Sequence, residues 1–329
     1  MSPSPSPGPA ALLRVARGGD RRAVARLITL VERGGDTALE IAGLLPAADD
    51  AGHVIGITGA PGAGKSSLTG RLLACLADAG RTPAVLAVDP SSPLTGGAIL
   101  GDRVRMDGFA AGAFVRSMAT RGQQGGLAFA VPATTRLLAH LGFDPVIVET
   151  TGVGQVEVDI ASAADTTVLV TSPGWGDAVQ ANKAGLLELA DVLVVNKADR
   201  PGARDARRDL ELMLDLGHIS GLEARAGRRP EIVLTVATTG DGVPELLAAA
   251  DAHRASLAAG DGLVARRRRG RRLELAATLE RSLRALVDTA MDTPAGRRVL
   301  ADVEAGTMSP ADACAVLLAG MGPQPPRGA

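Results

Sequence analysis

Seven short apolar runs alternate with helical stretches across the middle of the chain, and that alternation leaves few folds open to it. The runs are 53–58, 84–89, 113–118, 145–150, 166–171, 191–196 and 231–237. Most are near-continuously apolar, as in Ala-Val-Leu-Ala-Val at 84–88, where a half-exposed strand would alternate. Strands of this kind are covered on both faces. Joined through helices, they predict an α/β domain with a mainly parallel sheet and helices on both sides. In such sheets ligands bind beyond the carboxyl ends of the strands. Several runs end there in polar or acidic residues: Asp89, Glu149 and Asn196.

The flanks read differently. Residues 1–9, with Ser2-Pro3-Ser4-Pro5, and residues 323–329 read as disordered tails. Residues 10–48 form an expected helical extension, in which Asp20 caps a helix carrying Val24, Leu27, Ile28 and Val31. A second short helix is expected from Thr37 to Leu45. The strand-bearing domain spans 49–259. Residues 260–322 form a helical arm, with one long helix from Gly262 to Ala290 interrupted at Gly270 and another opening at Ser309-Pro310. The arginine run 266–269, with Arg271 and Arg272, reads as a solvated face or a contact for an acidic partner, because Glu274 and Glu280 follow it.

Composition narrows the partners. The net charge is −1 and aromatic residues make up 2%, so neither a nucleic-acid surface nor a base-stacking platform is expected. No apolar run reaches the roughly 18–20 residues of a membrane span. The N-terminus lacks the basic start and apolar core of a signal peptide. The two cysteines, Cys75 and Cys314, are too far apart for a metal-spaced pair, and a reduced, cytoplasmic chain is the expectation.

The first run leads into Gly59-Ala60-Pro61-Gly62-Ala63-Gly64-Lys65-Ser66, which fits Gly-x4-Gly-Lys-Ser/Thr. A helix follows with Leu68, Leu72, Leu73 and Leu76 on one stripe. Strand, glycine-rich turn and helix N-terminus together make a phosphate cradle. Backbone N–H groups curl round the anion, Lys65 reaches the β- and γ-phosphates, and the Ser66 hydroxyl, with Ser67 beside it, is placed for Mg²⁺ and phosphate.

Asn196-Lys197-Ala198-Asp199 chooses the base. An aspartate here accepts from the guanine N1–H and N2 amine, and adenine would leave that carboxylate unpaired. The segment Thr235-Val236-Ala237-Thr238 stands where guanine-nucleotide enzymes place a Ser-Ala loop, with Val236 in place of the serine. An Asp-x-x-Gly is expected at another strand end, and the chain has Glu149-Thr150-Thr151-Gly152. Glutamate still binds Mg²⁺, directly or through water. Val153 occupies the place of the water-orienting glutamine of Ras-type enzymes, and Gln155 comes two residues later. Slow intrinsic hydrolysis, dependent on a partner or another loop, is expected.

Longer runs carry a resemblance. They are residues 19–32, Val88-Asp89-Pro90-Ser91-Ser92, 96–106, 116–122, Gly125-Gly126-Leu127, 149–155 and Pro173-Gly174-x-Gly176-Asp177. With the nucleotide motifs, they make roughly residues 10–320 similar to the MeaB/ArgK family of P-loop GTPases, chaperones of methylmalonyl-CoA mutase. The resemblance implies a P-loop GTPase core, an N-terminal helical extension and a C-terminal helical arm that makes a homodimer. It implies GTP or GDP with Mg²⁺ as ligands. Ser66, Asp102 and Glu149 would surround the metal, with Asp89 in the same polar cluster. Lys65, Asp102, Glu149 and Lys183 would carry the catalytic roles. Residues 89–107, 149–160 and 173–185 would be switches, with Asp177 and Lys183 reaching the nucleotide or signalling to the partner. That partner would be an adenosylcobalamin-dependent acyl-CoA mutase, with a cobalamin adenosyltransferase as a further one. The chain departs from the family at Gln123-Gln124, at Ser67 and in the segment 177–183, and its lone Trp175 sits on the third switch. These departures bear on which mutase is the partner.

Three other readings stand beside this one. An ATPase or kinase linked to basic amino-acid transport is a label some ArgK-like chains carry, and Asn196–Asp199 argues against it. A metal-insertion GTPase would show histidine-rich tracts or close cysteines, whereas this chain has 4 scattered histidines. A scaffold with a dead nucleotide site would not keep Lys65, Ser66 and Asp102.

Overall fold

The computed structural model describes residues 7–46, 52–89, 112–119, 126–150, 163–174, 189–219 and 229–320. The chain divides into two compact units, Met1–Glu274 and Leu275–Ala329. Asp102, Gly152, Val153, Gln155, Trp175, Asp177 and Lys183 lie outside the described residues, as do most of the three expected switches.

The first unit opens with α1 (Pro9–Arg17), α2 (Arg21–Arg33) and α3 (Asp36–Leu44). The Asp20 carboxylate caps α2, accepting from the backbone N–H groups of Arg22 and Ala23. Val24, Leu27, Ile28 and Val31 are buried on its inner face. The sheet then alternates with helices in chain order: β1 (Val54–Gly59), α4 (Lys65–Asp78), β2 (Ala84–Asp89), β3 (Phe114–Ala119) and α5 (Gly126–His140). It continues with β4 (Val146–Thr150), β5 (Thr166–Thr171), β6 (Val192–Asn196), α6 (Ala203–Ile219), β7 (Glu231–Thr235) and α7 (Val243–Ala258).

Among the described residues, seven strands pair in parallel, in the order β3-β2-β4-β1-β5-β6-β7. β1 sits in the middle, between β4 and β5, so the glycine-rich turn that follows it opens at the centre of the carboxyl edge. Helices cover both faces. Ile55, Ile57, Val85, Val168 and Val194 pack with Leu68, Leu72, Leu73 and Leu76 of α4 and Leu246 of α7. On the other face Leu169, Leu193 and Val195 pack beneath Ala203 and Leu210 of α6.

The amino edge of the sheet is held by charge. The long helix α8 (Gly262–Asp292) starts in this unit. Arg266 grips Asp191 through two nitrogens at 2.6 Å each, and both side chains are buried. Arg267 pairs with Asp165 at 3.0 and 3.1 Å. The expected acidic contact of the arginine run is thus met inside the chain for these two residues. Arg268, Arg269, Arg271 and Arg272 remain exposed.

Gly270 does not interrupt α8, contrary to expectation. One glycine in a helix interior costs only about 1 kcal/mol. The ion pairs of Arg266, Arg267 and Glu274, the last with Arg136 of α5 at 2.9 Å, fasten the helix on both sides of it. Gly270 also lines a cavity of about 80 Å³ with Pro132, Thr135 and Ala139 of α5.

The second unit holds the rest of α8, α9 (Pro294–Glu304) and α10 (Pro310–Gly320). Thr293 caps α9, accepting from the Gly296 N–H at 3.0 Å. The α8 stripe Leu275, Leu279, Leu283, Leu286 and Val287 is exposed in the single chain. Among the described residues no helix is long and apolar enough to cross a membrane.

Candidate nucleotide site

The turn from β1 into α4 needs its glycines. Gly59 has φ 142°, and a side chain there would run into the Val170 carbonyl of the adjacent strand. Gly64 is left-handed at φ 95°, and a side chain there would strike the Asn196 amide. The loop can therefore curl only with no Cβ at either position. Lys65 opens α4, and its Nζ donates to the carbonyls of Gly59 at 2.8 Å and Ala60 at 3.0 Å. The ammonium is thus held within the concavity of the loop, at a helix N-terminus that favours anions. Pro61 and Gly62 are exposed at the rim, and Ala63 is buried.

Ser66 and Glu149 meet at the next position. The Ser66 hydroxyl donates to Glu149 Oε1 at 2.6 Å, and both residues are buried. Two hard oxygens, one of them anionic, beside a phosphate cradle form a donor set suited to Mg²⁺. Ser66 and Glu149 fit the metal, with Glu149 at the end of β4. The glutamate that replaces the usual aspartate thus reaches the serine. Asp89 ends β2, with its side chain outside the described residues. Thr150 donates to the Thr58 hydroxyl at 3.1 Å and ties the carboxyl ends of β4 and β1 together. Ser67 is half-buried on α4.

The base side is organised by Asn196. Its Nδ2 donates to the Ala63 carbonyl of the phosphate loop at 2.8 Å. Its Oδ1 accepts from the Thr235 hydroxyl and the Ala237 N–H, each at 3.1 Å. One buried amide thereby joins the phosphate loop to the loop after β7. Lys197, in the left-handed region at φ 60°, reaches across and donates to the Gly62 carbonyl at 2.6 Å. Asp199 is exposed, and no hydrogen bond or ion pair with described residues engages its carboxylate. It stands open to a base.

Val236 is half-buried and bridges to Asp241, which closes the loop as a tight hairpin. Thr238 is exposed at its tip. The hydroxyl absent at position 236 is not missed by Asn196, because Thr235 supplies one. A residue not singled out in the sequence also holds this loop. Arg71 of α4 donates from Nε to the Ala237 carbonyl at 3.2 Å and from Nη2 to the Thr238 carbonyl. It lies 166 residues from the loop, and no local pattern links the two. Its one sequence signal is a basic residue on a helix whose leucine stripe faces the core.

The structure thus brings Lys65, Ser66, Glu149, Asn196, Lys197, Ala237 and Thr238 to one end of the sheet. The arrangement is suited to a phosphate chain at one side and a base at the other.

Comparisons with known proteins agree with this geometry. Residues 24–292 match the family described as methylmalonyl Co-A mutase-associated GTPase MeaB. A probable GTPase of Mycobacterium tuberculosis is 40% identical over 321 residues, covering 93% of each chain. A fused isobutyryl-CoA mutase of Cupriavidus metallidurans is 43% identical over 197 residues, which is 58% of this chain and 18% of that protein. The crystal structure of a LAO/AO transport system kinase superposes with a TM-score of 0.63 at 23% identity, covering 95% of this chain and 97% of that one, and so shares its fold. With its seven-stranded parallel sheet, its phosphate loop and the Asn196–Asp199 base segment, the chain belongs to the MeaB family of mutase-associated GTPases.

Proposed function

We propose that this protein is a GTPase chaperone of an adenosylcobalamin-dependent acyl-CoA mutase. GTP binding and hydrolysis would gate cofactor loading and reactivate the mutase. The observation that carries the reading is Asn196, which bonds the phosphate loop and the base loop at once and leaves Asp199 open. The fused mutase relative supports a mutase partner, because one polypeptide there joins a similar segment to an isobutyryl-CoA mutase. That relative also favours a second substrate class for the partner, isobutyryl-CoA beside methylmalonyl-CoA.

The chemistry follows from the side chains. Lys65 exchanges its loop carbonyls for β- and γ-phosphate oxygens when nucleotide enters, and keeps its charge on the oxygens that gain charge during transfer. Backbone N–H groups of the loop hold the phosphate chain in line. Ser66 and Glu149 would hold Mg²⁺, which neutralises phosphate charge when bound. Asp102 and Lys183, proposed as further catalytic residues, and Asp89, proposed near the metal, complete the set that the family resemblance implies. With Val153 in the place of a glutamine, the attacking water lacks that partner, so we propose slow turnover quickened by the mutase.

We also propose a homodimer through the apolar stripe of α8, and residence in the cytoplasm. A cobalamin adenosyltransferase fits as a further partner. The test is a pull-down from the native extract with the protein loaded with GDP or a non-hydrolysable GTP analogue. Recovery of a cobalamin-dependent mutase, in amounts that depend on the nucleotide, supports the reading. Its absence in both states overturns it.

A further inference from the structure

The loop after β7 is held from two directions. Asn196 takes the N–H of Ala237, which belongs to the 236–237 peptide. Arg71 takes the carbonyls of Ala237 and Thr238, which belong to the next two peptides. A peptide is planar and trans, so its N–H points opposite its carbonyl. Holding the Ala237 carbonyl toward α4 therefore turns the Thr238 N–H away from α4. Holding the Thr238 carbonyl does the same for the Thr239 N–H. The Thr239 N–H is already spent on the Val236 carbonyl at 3.1 Å. The Thr238 N–H donates to none of the described residues, and Thr238 is exposed.

From this geometry we infer that Arg71 is a positioning residue for base recognition. It sets the Thr238 N–H as the donor for the guanine O6 oxygen. A guanine seated on Asp199 through N1–H and its 2-amine still needs a donor for O6. Adenine puts an amine at that place, and two donors would face each other. Arg71 rises from α4, the helix that starts at Lys65, so the phosphate cradle and the base donor are set by one rigid element. Its Cδ lies 3.9 Å from where a Cβ would stand at Gly240, so the arginine stem passes beside the hairpin.

The inference rests on the guanine reading of Asp199, and the experiment separates the two. GDP, ADP and inorganic tripolyphosphate with Mg²⁺ are titrated into the full chain, and into Arg71→Met and Arg71→Lys. Arg71→Met keeps the methylene packing and removes the donors. It should weaken GDP by about ten- to hundredfold, the worth of one or two hydrogen bonds to a charged group. Tripolyphosphate should stay within about twofold, because these two bonds go to the 237–238 carbonyls and not to the phosphate loop. The preference for GDP over ADP should narrow, and Arg71→Lys should recover part of it. Equal losses for GDP and tripolyphosphate would show a role in the stability of α4 alone and overturn the inference. So would an unchanged GDP affinity in Arg71→Met. A parent chain without preference for GDP over ADP instead removes the guanine reading, and this inference with it.

Discussion

At the scale of single residues, the site depends on side chains that each serve two loops. Asn196 uses its amide nitrogen on the phosphate loop and its oxygen on the loop after β7, and the proposed recognition of the base edge falls to Asp199. Asp199→Asn exchanges an acceptor for a donor at one position. The variant should lose GTP by about a hundredfold and gain xanthosine triphosphate, whose 2-oxo group accepts where guanine donates. Competition between the two nucleotides checks this, and an unchanged guanine preference would place the base elsewhere. Glu149, which stands where an aspartate is usual, reaches Ser66 at 2.6 Å in a buried position.

At the scale of elements, the amino edge of the sheet is a charged seam rather than an apolar one. Asp191 caps the seam by accepting from the Thr167 N–H at 2.8 Å and from both Arg266 nitrogens. Arg266→Ala would leave a buried carboxylate without its cation, and should lower unfolding free energy by about 3–5 kcal/mol. Arg207 pairs with Glu211 on the outside of α6, with both side chains more than 40% exposed, and Arg207→Ala should change stability by less than about 0.5 kcal/mol. Urea unfolding of the two variants measures the contrast.

Asp251 of α7 belongs to the same edge. Contact with the buried His53 ring, then the Arg81 guanidinium at 3.0 Å, holds its carboxyl below the usual carboxylate range, against an opposing effect of burial. A depressed folded value means that the contribution is present above the unfolded pKa of about 3.9 and is lost as pH falls through the folded value. The stability gap between parent and Asp251→Asn should therefore be full at neutral pH and close below about pH 4. Thermal melts across that range test it, and a gap that persists in acid would assign the effect to packing.

At the scale of the whole molecule, the second unit carries a stripe that a single chain leaves uncovered. Leu275, Leu279, Leu283 and Leu286 of α8 are each at least half-exposed. In Leu279→Glu combined with Leu283→Glu the proposed homodimer should sediment as a monomer while GDP affinity holds, because neither residue lies in the unit that carries the phosphate loop. A variant that still sediments as a dimer would place the interface elsewhere.

Much of this was legible in the chain itself. Apolar runs of five or six residues fell within one residue of β1, β2, β4 and β6, because strands buried on both faces leave an unbroken apolar signature. Leu68, Leu72, Leu73 and Leu76 read as one helix face because spacings near 3.6 residues fall on one side of a helix, and Asp20 read as a cap because capping is local. The phosphate loop and the base segment are short contiguous motifs, so the sequence alone determined the kind of ligand and the end of the sheet that holds it. What only the tertiary structure decided are contacts between residues far apart. These are Arg71 on the 237–238 carbonyls, Arg266 on Asp191, and Asn196 on both loops. The continuity of α8 through Gly270 belongs with them, since ion pairs to remote strands and to α5 offset a local weakness. The physical reason is common to all four. A side chain's partner is set by how the strands stack, and neighbouring residues in the chain carry no record of that stacking.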